Sequence, residues 1–247
     1  MSSETKEVDL KGHNVMVAWP AYDSKIYIDA MLAYMNTAHE LGQVGVGVGF
    51  NARMGSSLIP KCRDEIIHQF LFDEAQQPFD YLLCIDGDVI WNPEAVPPML
   101  AASIAHDDAV IFGSYPVKRD EPLFHIEPMA SPDGKAIYSG PLLRVNSGAA
   151  GFMLLPRTVL KKMYEKYKDE LCYTASGDFT REDGTKVCAM FTPCIIRDKY
   201  RGEDIAFCIR MGHAGVRMYL DPRIKLTHIG EKRYNHDLND YLENKYF

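Results

Sequence analysis

Residues 79–91 have the sequence Phe79-Asp80-Tyr81-Leu82-Leu83-Cys84-Ile85-Asp86-Gly87-Asp88-Val89-Ile90-Trp91. The apolar run from Tyr81 to Ile85 predicts a buried parallel strand, and two carboxylates separated by one glycine follow it directly. An unpaired carboxylate is costly to bury, so Asp86 and Asp88 are expected where the strand leaves the sheet. The carboxyl ends of strands in open α/β sheets are where ligands bind. Two acids at positions i and i+2 can converge on one divalent cation, which commonly bridges to phosphates. The segment therefore predicts a site for a nucleoside diphosphate.

The Asp86-Gly87-Asp88 triplet also has two other interpretations. Asp and Gly are ordinary turn residues, and the triplet taken alone favours a solvated turn. Its position directly after an apolar run shifts the balance toward a ligand site. The second alternative is the nucleophile motif of haloacid dehalogenase-type phosphatases, in which Thr or Val stands two residues after the second acid. Ile90 stands there in this chain, and the triplet comes after a third of the sequence rather than on the first strand, which disfavours that motif.

Composition limits the class of protein. The chain has 247 residues, of which 47% are hydrophobic and 25% charged, as expected for a globular protein with one large α/β domain or two small ones. A formal net charge of −7 without a Lys/Arg run argues against a nucleic-acid partner. No apolar stretch approaches a membrane span, and the polar N-terminus has no signal-peptide core. The 6 scattered cysteines form no CxxC pair and are interpreted as buried, reduced thiols of a cytoplasmic protein.

Hydrophobic periodicity predicts that strands and helices alternate along the chain. The predicted strands are 14–19, 44–50, 81–85, 109–113, 152–155 and 216–220, and the predicted helices are 25–41, 58–72, 94–106, 157–171 and 205–212. This order predicts an α/β fold with a mostly parallel central sheet flanked by helices, and a small antiparallel portion beside it. The glycines that alternate in 44–50 predict that another part of the chain packs closely on that strand. A hairpin is predicted in 123–143 around Ser131-Pro132-Asp133-Gly134, and a mobile excursion or short hairpin in 170–199.

The sequence contains no internal repeat and no low-complexity linker, which favours one domain. We expect a flexible N-terminus over residues 1–13, a single domain over 14–230, and a C-terminal tail over 231–247 that could close over the site.

Five segments, taken in order, resemble the GT-A fold of nucleotide-sugar-dependent glycosyltransferases. Within that fold the chain is most similar to small stand-alone family-2-like enzymes and to related viral and phage enzymes, and the resemblance covers roughly residues 14–230. A Cys62-Arg63-Asp64 helix with Phe70-Leu71 precedes the acidic strand, and Gly113-Ser114-Tyr115-Pro116-Val117-Lys118 follows it. The five segments are Val17-Ala18-Trp19-Pro20, the Arg63 helix, Tyr81 to Asp88, Gly148 to Leu154, and Gly202-Glu203-Asp204 with the later His228.

The resemblance implies a metal-binding set. Asp88 matches the direct ligand of Mn²⁺ or Mg²⁺, and Asp86 matches the residue that reaches the ribose or a metal-bound water. His228 matches the late metal-binding histidine of the fold, although a lone His before a glycine is equally an ordinary polar loop residue.

The resemblance also implies a nucleotide-binding set, and each of its members has a plainer interpretation. Tyr22 could be a surface aromatic, Arg63 could form an ion pair with Asp64 or Glu65 on the helix surface, and the lysines could be solvated. Lys232 lies in the predicted tail and could close over the diphosphate. The set consists of Pro20, Ala21 and Tyr22 around the base, with Arg63, Asp86, Lys118 and Lys232.

Asp204 matches the acid that deprotonates the acceptor hydroxyl in inverting enzymes of this fold. A carboxylate at a helix N-terminus is positioned and kept ionised, as a general base requires. Glu203 and Asp204 could instead be present only because acids are favoured in the first turn of a helix. The segment from Gly148 to Gly151 is expected to let an acceptor approach the backbone, and the 172–201 segment to act as a lid or acceptor loop.

The implied function is that of a metal-dependent glycosyltransferase (EC 2.4). It would transfer one sugar, with inversion, from a UDP- rather than a GDP-linked donor to a hydroxyl of a glycan or other acceptor. A chain-polymerising synthase is not expected, because the QxxRW signature of processive synthases and membrane helices are both absent. The first alternative is a nucleotidyltransferase, which usually has a glycine-rich basic loop after its first strand; residues 19–23 contain no glycine. The second is a nucleotide-sugar-binding protein without turnover.

Overall fold

The computed structural model describes residues 8–175 and 183–246. Within them the helices are α1 Ile28–Gln43, α2 Ile59–Phe72, α3 Val96–Ala105, α4 Arg157–Tyr167, α5 Glu203–His213 and α6 Leu238–Tyr246. Short 3₁₀ turns lie at Glu74–Gln76 and Pro93–Ala95. The strands are β1 Asn14–Ala21, β2 Gly47–Met54, β3 Tyr81–Ile85, β4 Val89–Trp91, β5 Val110–Phe112, β6 Glu127–Pro128, β7 Tyr138–Ser139, β8 Leu142–Ser147, β9 Phe152–Pro156, β10 Cys172–Tyr173, β11 Val187–Cys188, β12 Cys194–Ile196, β13 Lys199–Arg201, β14 Met218–Leu220, β15 Leu226–Ile229 and β16 Arg233–Tyr234.

The central sheet has the strand order β2-β1-β3-β9-β5-β14-β8-β6, with β7 paired to β8. Strands β2, β1, β3, β5 and β14 run in one direction, whereas β9 is antiparallel to both β3 and β5, and β8 is antiparallel to β14. The predicted α/β class with a mostly parallel sheet is therefore confirmed. The strand predicted at 152–155 is present, but it enters the sheet in the opposite direction to its neighbours.

Strand β3 lies inside the sheet between β1 and β9, and all five of its residues are buried. Its side chains alternate between two apolar layers: Leu82 and Cys84 face one, and Leu83 and Ile85 face the other. Burial on both faces explains why the strand is a continuous apolar run. The residue after it is the first that can be polar, which places Asp86 at the carboxyl edge.

Helices cover both faces of the sheet. Helices α1 and α3 pack on the layer that contains Leu83, while α2, α4, α5 and α6 pack on the layer that contains Leu82. The close packing predicted for the glycine strand is also present, because a Cβ on Gly49 would lie 2.4 Å from the Phe79 ring.

Several boundaries differ from those predicted. The second strand begins at Gly47 rather than Val44, since Gly45 has φ +76° and the chain turns there. An antiparallel bridge between Ala130 and Ala136 closes the predicted turn, but β6 and β7 each pair with β8 instead of with each other.

Within the described part of the predicted excursion at 170–199, β10 pairs antiparallel with β11, and β12 with β13. Residues 176–182 of that segment lie outside the described part of the chain. Near the C-terminus the structure has helix α6, for which the sequence analysis predicted no element, and its Leu238, Tyr241 and Leu242 are buried in the core.

All six cysteines are free thiols. None of the helices in residues 8–175 and 183–246 has both the length and the apolar character that crossing a membrane requires.

Candidate active site

A groove with a volume of about 730 Å³ lies at the carboxyl ends of β1 and β3. Strand β1 contributes one wall, the acidic triplet after β3 contributes the floor, and the N-terminus of α5 lies opposite. The groove brings together seven of the residues singled out from the sequence: Pro20, Ala21, Tyr22, Arg63, Asp86, Asp88 and Asp204.

Asp86 is held at the floor by both of its carboxylate oxygens. Its Oδ1 accepts a hydrogen bond from Nη2 of Arg63 at 2.8 Å, and its Oδ2 accepts one from the Tyr115 hydroxyl at 3.3 Å. Gly151 lies against this pair, since a Cβ there would be 2.4 Å from Asp86 Oδ2 and 2.3 Å from the Tyr115 oxygen. Glycine is therefore required at this position for the packing of the floor.

Asp88 lines the same groove but has its own partners, Lys118 and His228. Its Oδ2 accepts a hydrogen bond from Lys118 Nζ at 2.5 Å and lies 3.5 Å from His228 Nε2. Burial alone would raise the pKa of Asp88, but hydrogen bonds from His228 and Lys118 outweigh it and lower the pKa to about 2. Asp88 is therefore a carboxylate at every physiological pH.

His228 is oriented by strand pairing and by its second ring nitrogen. It lies on β15, opposite Val89 of β4, and its Nδ1 is 2.9 Å from the backbone oxygen of Pro116. Because a carbonyl oxygen can only accept, Nδ1 carries a proton, and a cation bound between Nε2 and Asp88 would take the Nε2 lone pair in place of the hydrogen bond from Nε2 to Asp88. A carboxylate and an imidazole with this tautomer are suitable ligands for Mn²⁺.

The protein supplies only part of a metal coordination shell. Within the part of the chain that the structure describes, no three His, Cys, Asp or Glu side chains stand close enough together to hold an ion by themselves. Asp88 and His228 lie side by side, whereas the oxygens of Asp86 are directed to Arg63 and Tyr115. The donor set fits a cation that takes its remaining ligands from phosphate oxygens and water, as Mg²⁺ and Mn²⁺ commonly do.

Arg63 connects the two acids on the groove floor. Its side chain is only 4% exposed, and its Nη1 lies 2.6 Å from Asp204 Oδ1 while its Nη2 contacts Asp86. Burial opposes the charged guanidinium, but Asp86 and Asp204 outweigh that effect and raise the pKa of Arg63. The surface ion pair that was the alternative for Arg63 is not formed, because Glu65 pairs with Arg53 and Arg63 points inward.

Asp204 lies in the first turn of α5, between the groove and the β8–β9 segment. Its Oδ2 accepts a hydrogen bond from the N–H of Ala150 at 3.1 Å, and its Oδ1 pairs with Arg63. Burial raises the pKa of Asp204, and Arg63 and the Ala150 N–H oppose part of that rise. A carboxylate with a raised pKa is a stronger base than an ordinary aspartate, and one still ionised can accept a proton from a hydroxyl.

The two lysines predicted for phosphate binding have different surroundings. Lys118 reaches Asp88 at the groove, whereas the exposed Lys232 forms an ion pair with Asp120 and does not line the groove. The neighbouring Arg233 pairs with Asp29 at the start of α1, so this segment is tied to the body of the protein.

The sequence analysis did not assign a role to Tyr115 or Glu203. Tyr115 is in the quoted Gly113–Lys118 segment, but a tyrosine in a loop gives no sign of its partner; here it bonds to Asp86 and to the Gly151 N–H. Glu203 lines the groove next to Asp204, with Oε1 3.6 Å from Arg63 Nη1.

No protein-family model and no curated protein sequence matches the chain. Solved structures that are similar to it include GalNAc-T7 with UDP, GalNAc and Mn²⁺, at 9% identity and a TM-score of 0.49, covering 90% of this chain and 45% of that one. Staphylococcus aureus TarS 1–349 is similar at 14% identity and a TM-score of 0.44, covering 93% of this chain and 62% of that one. A Drosophila galactosyltransferase in complex with manganese, UDP-Gal and xylobiose is similar at 15% identity and a TM-score of 0.38, covering 93% and 73%. The chain thus spans only part of the length of each of these proteins.

Proposed function

We propose that this protein is a metal-dependent glycosyltransferase of the GT-A type. It transfers one sugar from a nucleoside-diphosphate sugar, UDP-linked rather than GDP-linked, to a hydroxyl of a glycan or other acceptor in the cytoplasm. The observation that carries the proposal is the groove lined by Asp86, Asp88, Arg63 and Asp204. His228 and Lys118 do not line it but contact Asp88 and form one cluster with it, and Asp86, Arg63 and Asp204 form another.

The first cluster is suited to the diphosphate of a donor. Asp88 and His228 would hold Mn²⁺ or Mg²⁺, and Lys118 adds a positive charge beside them. A bound divalent cation would offset the diphosphate charge and stabilise the leaving nucleoside diphosphate as a Lewis acid. Lys232 could also reach the phosphates if it released its ion-pair partner Asp120.

The wall formed by the end of β1 is suited to the nucleoside. Pro20, Ala21 and Tyr22 line the groove on this side, and Tyr22 is 60% exposed, so its ring is available to a base. Asp86 lies below this wall, where it could accept a hydrogen bond from a ribose hydroxyl in exchange for one of its present donors.

The second cluster is suited to proton transfer. The oxygen of an acceptor hydroxyl attacks the anomeric carbon, its proton passes to a carboxylate oxygen of Asp204, and the bond from the anomeric carbon to the diphosphate oxygen breaks. Arg63 orients Asp204 during this step through the 2.6 Å ion pair. Attack from the side opposite the leaving group inverts the anomeric configuration, which is the stereochemical outcome we propose.

A donor-hydrolysis assay with a panel of nucleotide sugars tests the proposal, first with Mn²⁺ and then with EDTA. We expect release of a nucleoside diphosphate with Mn²⁺ and its loss with EDTA. Asp204→Asn should lower transfer to an acceptor while donor binding is retained. Release of pyrophosphate would indicate a nucleotidyltransferase instead. Binding of nucleotide sugars without product from any of them would indicate a binding protein without turnover.

A further inference from the structure

A second cavity of about 420 Å³ adjoins the groove. It lies between β6, the end of β8 and the N-terminus of α5. Glu203 and Asp204 line both this cavity and the groove. A molecule in the second cavity therefore meets a molecule in the groove at the carboxylate that we propose as the base.

The charged lining of this cavity is acidic. Glu127 on β6 contributes a third carboxylate beside those of Glu203 and Asp204, and the lining contains no lysine or arginine, only His125 as a side chain that could carry positive charge. Carboxylates line the groove too, but Lys25 and Arg63 stand among them and Lys118 reaches Asp88. A divalent cation held by Asp88 would offset the acids of the groove, whereas the lining of the second cavity supplies no such counter-charge and would repel an anion.

The rest of the lining is largely apolar. The side chains of Phe124, Ile126 and Ile205 contribute to it, and Gly148 and Ala149 bring backbone to its surface. Gly148 has an additional packing role, since a Cβ there would lie 2.9 Å from the Phe112 ring. Carboxylates that accept hydrogen bonds, placed among apolar side chains, match the hydroxyls and the C–H faces of a sugar ring.

We propose that this second cavity binds the acceptor, and that the part of the acceptor it takes is an uncharged sugar rather than a phosphorylated or acidic one. This inference rests on the proposed function, because it assigns the substrate class of the same site. Glu127 is the specificity-determining residue that it singles out, because its carboxylate lines the second cavity but not the groove.

The test compares neutral glycosides with their 6-phosphate and uronic-acid counterparts as acceptors for the full-length protein with Mn²⁺ and its donor. We expect transfer to neutral glycosides and at least about tenfold lower kcat/KM for the charged ones, the discrimination given by one repulsive contact of about 1.4 kcal/mol. Glu127→Lys should raise the KM for the neutral acceptor and reduce the discrimination. Its UDP affinity should stay unchanged, because Glu127 does not line the groove. Glu121→Lys is the matched control, since Glu121 is exposed and lines neither cavity.

The outcomes separate this inference from the proposed function. Three results would overturn the inference alone when donor hydrolysis is observed. They are equal use of charged and neutral acceptors, no transfer to any neutral glycoside, and an unaltered KM for the neutral acceptor in Glu127→Lys. Absence of both donor hydrolysis and UDP binding in the unaltered protein would overturn the proposed function, and the inference with it.

Discussion

Arg63 connects the part of the groove that would bind the donor with the part that would bind the acceptor. A buried guanidinium between two carboxylates holds them at a fixed separation, and each carboxylate would lose its partner if the arginine were removed. The guanidinium has five N–H donors and gives one to each acid, so direct contact with a base or phosphate, the role implied by the sequence, stays a prediction. The place of Arg63 between the two acids supports a positioning role in addition.

We predict that Arg63→Met lowers kcat about 100-fold, because misplacing a catalytic group by about 1 Å has an effect of this size. Removing the cation also raises the pKa of Asp204 further, since Arg63 opposes the effect of burial. A base works only when ionised, so the acidic limb of the kcat–pH profile should move to higher pH. Arg63→Lys should keep part of the charge and move the limb less.

Arg53→Met provides the control for this prediction. Arg53 of β2 forms an ion pair with the buried Glu65, which lies on the same helix as Arg63, but Arg53 does not line the groove. Its loss should lower stability without moving the pH profile. An Arg63→Met profile with an unaltered acidic limb would contradict the positioning role.

At the level of single residues, the sequence identified acids better than it identified their partners. Asp86 and Asp88 were predicted at a strand end because an unpaired carboxylate is costly to bury inside a sheet, and the structure places them directly after β3. The ion pair of Arg63 with Asp204 joins residues that are far apart in the chain, and a local sequence pattern cannot predict such a contact.

Helix α2 is linked to α5 through the segment after β11. Asp64 of α2 is 3% exposed and accepts a hydrogen bond from the N–H of Phe191 at 2.9 Å. The Phe191 ring stacks on Phe207 of α5, with ring centroids 4.1 Å apart, and lies 5.6 Å from the guanidinium of Arg63. Asp64 thus supports the packing beneath the groove.

Burial raises the pKa of Asp64 to about 8, although the backbone hydrogen bonds from Phe191 and Met190 oppose the rise. The folded state then binds a proton more tightly than the unfolded chain, whose value is near 3.8. The resulting stabilisation is complete below that lower value and is lost as pH rises toward about 8. We predict that the Tm of Asp64→Asn declines less between pH 5 and pH 8 than that of the unaltered protein, because Asn still accepts the hydrogen bond but does not ionise.

Thermal unfolding monitored by circular dichroism across this range measures the effect. Asp169→Asn, at an exposed turn, removes an acid of the same type and should leave the slope unchanged. Parallel Tm–pH curves for Asp64→Asn and the unaltered protein would show that the ionisation of Asp64 is not coupled to folding.

At the level of elements, periodicity located six strands of the central sheet and the helices α1 to α5, but not the direction of every strand. The run Phe152–Leu155 is apolar throughout, and an apolar strand in the interior has the same pattern whether it is parallel or antiparallel to its neighbours. The predicted start of β2, Val44, was wrong for a related reason. The Val-Gly alternation continues through the turn at Gly45, so the alternation does not mark the residue at which β2 begins to pair with β1.

The whole molecule includes its C-terminal segment as part of the core. Leu238, Tyr241 and Leu242 of α6 are buried, and the Tyr241 ring contacts Phe124, which also lines the second cavity. The sequence of this segment mixes charged and aromatic residues, and only tertiary packing shows which of them are buried.

We predict that Leu242→Ala lowers the free energy of unfolding by about 2–5 kcal/mol, as expected for a leucine truncated in a packed core. The UDP affinity of the folded fraction should not change, because α6 does not line the groove. Urea unfolding measures the first quantity and calorimetric titration the second. Glu243→Ala, at the exposed neighbour, is the control, and equal stability of the two variants would contradict the assignment of α6 to the core.

The central claim is that a divalent cation on Asp88 and His228 holds the diphosphate of the donor. Isothermal titration of UDP into the protein, with Mn²⁺ and then with EDTA, tests it most directly when repeated with Asp88→Asn. The account predicts that Mn²⁺ tightens UDP binding at least about tenfold, or 1.4 kcal/mol, in the unaltered protein, and that Asp88→Asn abolishes this gain. Equal UDP affinity with and without Mn²⁺, or a gain that persists in Asp88→Asn, would contradict it.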